Sequence, residues 1–582
     1  MRIFPIFFNA KKNNFTIETA LNSRILSALA ALICISIGAE SFCQPRYWVY
    51  FRDKGCTRPE EVRAALAREE SRLSAATRER LRKVRPEANL LVEADLPVCT
   101  AYLEEIEALT GFQPHAVVRV INAASYAFDA ECRERVEGLP FVLKTAPVRR
   151  FERDLEPEPE AETHLARFLR DADTLNYGDS YTQNALENFP AAHEAGYDGR
   201  GVLVGILDAG WNLLEHRCFE ALDIVATWDF VNGDSSVAND PGQMGEGSHG
   251  TKTLSCLAGY DPGYLIGTAY GISVALAKTE NTEYELPIEE DNWAAGIEWL
   301  DSLGCVIATS SLSYPTLHTY EELDGNTTVI TIAADNAVAR GIVVLNSAGN
   351  RGNYSYPNHK MGPPSDGDSV LAIGSVNADS LRSSFSSLGP TYDGRIKPDL
   401  MAMGNAVTTA SSVNPDGYTV ASGTSFSTPI TAGACALLLQ ADPELTPMQV
   451  HAFLKATGTQ AHNPDTLNGW GIYDVWRAIQ AVLAGVSPEV PAAPPREFQI
   501  TAVYPNPFNL QTALQFTLPA VGEARLRVFD ASGRSLRGVE RRILSAGEHR
   551  WVWDARGCAS GVYWLQLETD WGGRICEVIL LK

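Results

Sequence analysis

The middle of the chain alternates short apolar runs with longer amphipathic segments. Apolar runs that predict strands are Val202–Asp208, Ser273–Thr279, Cys305–Ser313, Ile342–Gly349 and Ser369–Val376, and segments with helical periodicity are Asn292–Leu303, Thr327–Arg340 and Pro429–Gln440. Strands that are apolar on both faces and alternate with helices are typical of a parallel sheet covered on both sides. We therefore predict an α/β domain with a doubly wound parallel sheet at residues 196–484.

The segment that precedes this domain predicts a small α+β unit at residues 44–157. Its predicted strands are Tyr47–Phe51, Ala116–Phe128 (strand or hairpin) and Phe141–Val148, and Pro59–Glu79 is rich in helix formers. The stretch Arg149–Glu162, which includes DLEPEPEAE, is typical of a solvated linker. Residues 158–195 are assigned to a linker and the start of the α/β region.

The end of the chain changes texture after a spacer. The Pro-rich stretch Val486–Pro495 predicts a stiff linker at residues 485–497. Beyond it, apolar and polar residues alternate and are interrupted by turn sequences such as PNPFN, SGR and SAGE. This pattern predicts an all-β sandwich at residues 498–582.

The first 43 residues predict a signal for export. Basic residues, among them Lys11, Lys12 and Arg24, precede an apolar run from Ile25 to Ile37, and a cleavage point follows before Gln44. The run is short for a bilayer span, although an N-terminal membrane anchor is the alternative interpretation.

Composition narrows the class of partner. The 582 residues carry a net charge of -23, which argues against nucleic acid, because that partner requires a basic face. The 11 cysteines form no CxxC pair or Cys/His cluster, so no metal site is predicted from them. Export permits disulfides, but their pairing is not readable. Cys305 and Cys435 lie in apolar runs and are expected to be buried thiols.

Four short motifs supply complementary chemistry. They are GILDAG at Gly205–Gly210, GSHGT at Gly247–Thr251, NSAGN at Asn346–Asn350 and SGTSFSTP at Ser422–Pro429. They provide a carboxylate, an imidazole, an amide and a hydroxyl, each beside small residues that permit close approach. Each alone has a structural interpretation, namely a strand-end cap for Asp208, a turn residue for Asn350 and a helix cap for Ser425. The order Asp, His, Ser favours a hydrolase.

With these motifs in this order, the region from Gly196 to Ala484 resembles the subtilisin-like serine peptidases, or subtilases. The resemblance implies that Ser425 is the nucleophile, that His249 is the general base and acid, and that Asp208 orients the imidazole. Asn350 would then donate to the oxyanion together with the Ser425 N–H. We further expect Pro429 to lie in the first turn of the helix that Ser425 begins.

The chain departs from the family pattern at two places. Ala209 follows Asp208 where subtilases usually have Ser or Thr, and HGT continues as Lys252, Thr253, Leu254. Because Ala209 lacks a hydroxyl but no member of the triad is missing, we expect an effect on the fine positioning of the site more than on activity.

The resemblance also implies a substrate cleft. Its lining residues would be Ser311, Leu312, Ser313, Ser347, Ala348 and Gly349. Ser313 and Tyr314 replace the glycines of the family's SLGGP-like segment, which either narrows the first specificity pocket or covers its outside.

No cofactor and no catalytic metal are expected. Calcium is considered as a structural ion at Asp324–Asn326 and Ser365–Asp368, but loops this short are mostly plain turns.

The flanking regions complete the prediction. Placed between an export signal and a peptidase, residues 44–157 resemble a subtilase propeptide, which acts as an intramolecular inhibitor, although an unrelated accessory domain is the alternative. Residues 498–582 resemble the C-terminal sorting domains of type IX secretion cargo, which are similar to FlgD-type immunoglobulin-like modules. This match rests on Tyr504–Asn509, Phe529–Arg534 and Ser560–Leu567.

The sequence therefore predicts a secreted or surface-bound bacterial serine endopeptidase that is made as a zymogen and exported through the outer membrane. It would act on proteins or peptides. The alternatives are a binding or adhesion protein on an altered subtilase scaffold and an esterase that uses the same triad.

Overall fold

The computed structural model describes residues 45–148, 150–151, 175–238, 247–280, 288–314, 318–355, 357, 359–486, 498–518, 522–536, 540–544, 547–569 and 571–582. The predicted export signal, most of the acidic linker and most of the Pro-rich spacer lie outside these residues. The described chain forms two compact units. One comprises residues 45–62 and 96–148, and the other comprises residues 63–95 and the described residues beyond 149.

The N-terminal region, residues 45–148, contains four strands and four helices. Its strands are β1 (Arg46–Phe51), β2 (Ala116–Val118), β3 (Ala123–Ala127) and β4 (Val142–Pro147). Its helices are α1 (Pro59–Arg72), α2 (Ala75–Val84), α3 (Thr100–Thr110) and α4 (Ala130–Glu137).

In the first unit, the four strands form an antiparallel sheet in the order β2-β3-β1-β4. Val49, Ile106, Tyr126 and Val136 come from the sheet and from α3 and α4, and they share one buried core. The predicted α+β class of this region is confirmed. Helices α3 and α4 are additional to the predicted elements.

The second unit includes residues 63–95. Ser74 caps α2 by accepting a hydrogen bond from the Thr77 N–H. Leu81, Leu90 and Leu91 form a small buried cluster, against which Leu66 and Leu73 pack. A short strand, β5 (Arg150–Phe151), follows farther along the chain.

The largest sheet of this unit is seven-stranded and parallel. The strands of the region, in chain order, are β6 (Leu203–Asp208), β7 (Asp223–Asp229), β8 (Tyr260–Asp261), β9 (Leu265–Ile266), β10 (Ser273–Lys278), β11 (Ile288–Glu289), β12 (Ile307–Ser310), β13 (Val343–Ser347), β14 (Leu371–Val376), β15 (Leu400–Met403), β16 (Val407–Ala410) and β17 (Tyr418–Ala421). The large sheet has the order β15-β14-β13-β12-β6-β10-β7. The predicted doubly wound sheet and its five strands are confirmed.

Helices cover both faces of this sheet. In chain order they are α5 (Tyr181–Ala185), α6 (Phe189–Glu194), α7 (Ser248–Ala258), α8 (Glu290–Leu303), α9 (Val329–Ala339), α10 (Thr424–Ala441), α11 (Pro447–Ala456) and α12 (Val475–Leu483). Helix α10 contacts β12, β13, β14 and β15, and α8 contacts β6 and β10. All of α10 from Thr424 to Leu439 is buried, which explains why it is apolar on every side.

The sheet order reverses around β6. The strand that follows it in the chain lies at one edge, with β10 between them, whereas β12 pairs with its other side. A crevice forms at the carboxyl ends of the strands where such an order reverses. Asp208 is the last residue of β6 and therefore stands at this point.

The long helix that Ser425 was expected to begin starts one residue earlier, whereas the placement of Pro429 in its first turn was wrong. Helix α10 begins at Thr424, so Pro429 lies inside the helix and not in its first turn. A proline is tolerated there only if the carbonyl it leaves unpaired finds another donor. The carbonyl of Ser425, four residues earlier, accepts from Ser311 Oγ at 2.8 Å.

The C-terminal region is all-β, as predicted. Its strands are β18 (Gln499–Tyr504), β19 (Gln511–Leu518), β20 (Gly522–Asp530), β21 (Glu540–Leu544), β22 (Gly547–Asp554), β23 (Gly561–Thr569) and β24 (Gly572–Leu580). They form antiparallel sheets in the orders β18-β19-β22 and β21-β20-β23-β24. Leu514 and Trp551 from one sheet and Leu526 and Leu565 from the other meet in a single core, which is the arrangement of a sandwich.

Candidate active site

The carboxylate of Asp208 is fully buried at the carboxyl end of β6. Its Oδ1 accepts from the Ala209 N–H at 2.7 Å and lies 2.7 Å from His249 Nδ1. Because a carboxylate oxygen accepts, Nδ1 carries the hydrogen, and Nε2 of the neutral ring is left as an acceptor. The contact thus selects the tautomer that a general base requires.

His249 is the second residue of α7. The helix lies directly against the turn that follows β6: a Cβ at Gly250 would be 2.2 Å from the Gly210 carbonyl oxygen, so only glycine permits this approach. The His249 side chain is 22% exposed, and its ring centroid is 6.2 Å from that of Phe426. The imidazole therefore lies beside the first turn of α10 with part of its surface open to solvent.

Ser425 is the second residue of α10 and is 8% exposed. Its Oγ donates to the Ser311 carbonyl at 3.2 Å, and its own carbonyl accepts from the Ser311 hydroxyl. The first N–H groups of a helix have no partner within it, and the macrodipole makes that end positive. A negative charge that develops next to Ser425 would be stabilised by both effects.

Asn350 holds its amide in one orientation. Its Oδ1 accepts from the Thr424 N–H at 2.9 Å and from Thr424 Oγ1 at 3.0 Å. Because a backbone N–H only donates, the amide atom facing it is the oxygen, and the NH2 group turns the other way. Two donors are then available at the start of α10, Asn350 Nδ2 and a helix N–H, in the manner of an oxyanion hole.

The two segments expected to line the cleft both contact the first turn of α10. Leu312 and Ser347 are connected through Asn346, whose Nδ2 donates to the Leu312 carbonyl at 2.8 Å and to the Ser347 carbonyl at 3.0 Å. The Gly349 N–H donates to Thr424 Oγ1 at 3.2 Å, and Ala348 is fully buried. Residues 311–313 and 347–349 are thereby brought next to Ser425.

Ser313 and Tyr314 have different positions. A Cβ built on Gly349 would be 3.4 Å from Ser313 Oγ, so the hydroxyl lies between the two segments. Tyr314 is fully buried, and burial together with the nearby Glu280 carboxylate raises the pKa of its phenol well above the usual value. Ser313 thus lies beside the segment that contains Gly349, whereas Tyr314 is buried inside the protein.

Thr253 is a site residue that the sequence did not identify. Its Oγ1 donates to Asp208 Oδ2 at 2.9 Å. Thr253 follows His249 by four residues on α7, so both side chains lie on the same helix face and reach one carboxylate. The hydroxyl that is absent at Ala209 is supplied from this helix.

A buried ion pair adjoins the site. Lys278, the last residue of β10, is the register partner of Asp208 on β6. Its Nζ lies 2.9 Å from Asp229 Oδ2, and both side chains are fully buried. Asp229 also accepts from the Val231 and Asn232 N–H groups. The Lys278 charge is therefore paired with Asp229.

The two loops considered for calcium use their carboxylates within the chain. Asp366 accepts from the Gly325 N–H at 2.9 Å and from Thr331 Oγ1 at 2.7 Å, and Asp324 accepts from the Asn326 N–H at 2.9 Å. In the described part of the chain, no three His, Cys, Asp or Glu side chains are grouped as metal ligands. Asp366 thus joins its loop to the loop at Gly325 and to α9, and Asp324 closes a local turn.

The two thiols predicted to be buried are buried. Cys305 and Cys435 are both inaccessible to solvent, and burial raises the pKa of the Cys305 thiol to about 12. A thiol of this kind is inert, because the thiolate is the reactive form.

Comparison with known proteins gives three family matches. The model described as "Subtilase family" matches residues 199–471. A "Peptidase S8 propeptide domain, Bacteroidota" matches residues 46–164, and a "Secretion system C-terminal sorting domain" matches residues 502–580.

Two subtilisins agree with the match to the subtilase family. Subtilisin DY of Bacillus licheniformis is 33% identical over 269 residues, which are 45% of this chain and 86% of the relative. Subtilisin E of Bacillus subtilis is 31% identical over 351 residues, which are 59% of this chain and 81% of the relative. A solved structure described as proteases from Pseudoalteromonas arctica has a TM-score of 0.43 at 22% identity and covers 53% of this chain and 99% of that one. Because the matched subtilisins are aligned over most of their own length, this chain, with its S8 propeptide and its C-terminal sorting domain, belongs to the subtilase family of serine endopeptidases.

Proposed function

We propose that this chain hydrolyses peptide bonds through an acyl-enzyme on Ser425, with Asp208, His249 and Ser425 as the triad. The observation that carries the proposal is the 2.7 Å contact between Asp208 Oδ1 and His249 Nδ1, made with the ring beside the first turn of α10. With the hydrogen on Nδ1, Nε2 would be the ring nitrogen that takes a proton from the serine hydroxyl.

The reaction follows from these positions. Ser425 Oγ attacks the scissile carbonyl carbon while His249 Nε2 takes the hydroxyl proton, and Asp208 stabilises the imidazolium that forms. The carbonyl oxygen becomes an oxyanion that accepts from Asn350 Nδ2 and the Ser425 N–H. Collapse breaks the C–N bond, and His249 returns the proton to the leaving amine. Water then hydrolyses the ester by the same route.

The direct test compares the purified protein with its Ser425→Ala variant. Both are incubated with casein and with a serine-directed fluorophosphonate. We expect labelling and casein cleavage by the first protein and neither by the variant, with unchanged circular dichroism. Labelling without cleavage of casein would favour the esterase, and absence of labelling would favour the binding scaffold.

The substrate would lie as an extended chain between residues 311–313 and 347–349. Both segments adjoin Ser425 through hydrogen bonds, namely Ser311 to Ser425 and Gly349 to Thr424. Unpaired backbone groups beside a nucleophile can pair with an extended peptide as an added strand does.

The chain would be made as a precursor that is cut between about Asp154 and Asp179. The acidic composition of this stretch is typical of exposed chain, where proteolysis concentrates. N-terminal sequencing of the secreted protein locates the cut. If processing is autocatalytic, Ser425→Ala accumulates uncut, whereas a mature protein that begins near Gln44 would contradict the proposal.

The sorting domain would direct the enzyme across the outer membrane or hold it at the cell surface. It carries its own buried core, centred on Leu514 and Leu565, so the chain before it can be produced separately. A protein that ends at Ala484 should keep peptidase activity and remain inside the cell envelope of the native host. Normal release of the truncated enzyme would contradict this role.

A further inference from the structure

Residues 63–95, here called the anchor, interrupt the N-terminal unit in sequence but pack with the peptidase region. The contact is made by α2, which carries Arg80. The Arg80 side chain is only 1% exposed, although arginine is almost never fully buried unless it is paired.

Arg80 binds the C-terminal ends of two helices of the peptidase region. Its Nη1 donates to the Cys305 carbonyl at 2.6 Å, just beyond α8, and its Nε donates to the Arg340 carbonyl at 3.0 Å, at the end of α9. It also forms an ion pair with the Asp301 carboxylate in the last turn of α8. Helix C-termini present unpaired carbonyls and a partial negative charge, so a buried guanidinium is suited to join two of them.

The surfaces also fit closely. A Cβ at Gly341, which follows α9 with φ +91°, would be 2.8 Å from the Arg80 carbonyl oxygen. Position 341 must therefore be glycine both for its backbone conformation and for the close approach of α2.

A second carboxylate extends the pairing. Asp95, from the end of the anchor, pairs with Arg340 and lies 2.5 Å from Arg85 Nη1. Arg340 Nε in turn lies 2.8 Å from Asp301 Oδ2. Burial alone would raise the pKa of Asp95, but the neighbouring Arg340 and Arg85 outweigh it and lower the pKa. Opposite charges thus alternate from Arg80 through Asp301 and Arg340 to Asp95 and Arg85.

The N-terminal part of the chain makes a second contact with the peptidase region, the pairing of β5 with β11, and this contact is distant from that of the anchor. β5 pairs with β11, which immediately precedes α8, whereas Arg80 binds the last turn of α8. The helix has 14 residues, so these contacts are about 20 Å apart. They are two separate attachments at opposite ends of one helix.

We propose that the anchor is a docking element of the propeptide, centred on Arg80, that binds the C-terminal ends of α8 and α9 independently of the substrate cleft and keeps the cleaved propeptide on the peptidase. The retention step rests on the proposed cut in the acidic linker. Both attachments precede residues 152–174, so a cut there leaves them on one fragment. Two linked contacts hold more tightly than either alone, because the second forms at a high effective concentration.

The test uses the full-length Ser425→Ala chain with a recognition sequence for an added site-specific protease inserted within residues 152–174. Cutting by the added protease makes the result independent of whether the enzyme processes itself. Gel filtration over a dilution series then gives the dissociation constant of the N-terminal fragment. We expect the fragment to elute with the peptidase, and Arg80→Met to raise the dissociation constant on the order of 10²-fold, because it removes one of the two arginines that pair with Asp301 and leaves the Cys305 and Arg340 carbonyls without their buried donor.

Arg78→Met is the matched control. Arg78 lies on the same helix, and its side chain donates to the carboxylate and the carbonyl of Glu70 within the anchor. Its loss removes the same charge and should change the constant by less than about fivefold. Asp95→Asn, an isosteric change, should weaken retention at least about tenfold.

Circular dichroism before cutting shows whether each chain is folded. If Arg80→Met is not, Arg80→Lys and Asp95→Asn decide, since both keep the side-chain volume nearly unchanged. The proposal is overturned if the N-terminal fragment of the Ser425→Ala chain separates freely from the peptidase after the cut. It is also overturned if the folded Arg80 and Asp95 variants hold their N-terminal fragments as tightly as the Arg78→Met variant does.

Discussion

Thr253 Oγ1 donates a hydrogen bond to Asp208 Oδ2 at 2.9 Å. With the Ala209 N–H and His249 Nδ1 on Oδ1, this bond gives the buried carboxylate three donors, and two of them come from one face of α7. A carboxylate held in this way cannot rotate without losing a bond. Thr253 is therefore expected to position Asp208 for its role toward His249.

Thr253→Val should lower kcat/KM about tenfold, because it removes a hydrogen bond to a charged group without changing the side-chain shape. The measurement is hydrolysis of a chromogenic peptide. Thr253→Ser, which keeps the hydroxyl, is the control and should restore most of the activity. If Thr253→Val keeps the activity of the parent enzyme, the hydrogen bond to Asp208 does not contribute to catalysis.

Asp208→Asn should lower kcat on the order of 10⁴-fold, because an amide in this position can favour the wrong histidine tautomer. The variant keeps the size of the buried side chain, so its thermal unfolding should resemble that of the parent protein. Single-turnover acylation with an active-site ester separates this loss from a binding defect. Activity near the parent level would mean that another carboxylate orients His249.

Sequence patterns were sufficient for the fold because its strands are buried on both faces. Runs such as Ile342–Gly349 can be satisfied only inside a covered parallel sheet, and β13 is buried along its whole length. The position of Pro429 within α10 was predicted wrongly because a proline is a strong local indication of the first turn of a helix. What overrides it is a distant contact, the hydroxyl of Ser311 on the Ser425 carbonyl.

The predicted site residues gather at one edge of the sheet, but their supports were not readable from the sequence. Short motifs mark Asp208, His249, Asn350 and Ser425, because close approach requires small residues beside them. Thr253 carries no such mark. A helical spacing of four from His249 was the one available indication, and it became meaningful only once Asp208 was located beside α7.

The stability of the peptidase region should fall between pH 5 and pH 8 because of Glu187. Its side chain is fully buried, one oxygen accepts from the Met403 N–H at 2.8 Å, and burial raises its pKa from 4.5 to about 8. Below pH 4.5 the carboxyl is protonated in both the folded and the unfolded chain. As the pH rises toward 8, Glu187 ionises in the unfolded chain while it stays protonated in the folded chain. The free energy of unfolding therefore decreases, on the order of a few kcal/mol.

Glu187→Gln should remove this component of the pH dependence, because an amide keeps the acceptor for Met403 and does not titrate. The measurement is urea unfolding at pH 5 and pH 8, made in the Ser425→Ala background so that self-digestion does not interfere. Glu444→Gln, at an exposed position, is the control and should leave the difference between the two pH values unchanged. An equal loss of stability in parent and Glu187→Gln would assign the effect to other groups.

Ser313→Gly should broaden the first specificity pocket. Ser313 Oγ lies 3.4 Å from where a Cβ on Gly349 would stand, so its removal is expected to leave more room between the two segments beside Ser425. The parent enzyme should therefore prefer a small residue before the scissile bond. In the glycine variant, kcat/KM for a peptide with Phe at that position should rise about tenfold relative to the peptide with Ala, a difference typical of one or two atoms in a pocket. Ser387→Gly is a matched control, because its hydroxyl also lies near Gly349 but accepts from the Arg351 N–H. If both variants keep the parent's ratio of Phe to Ala substrates while remaining active, the hydroxyl at position 313 does not set the size of the pocket.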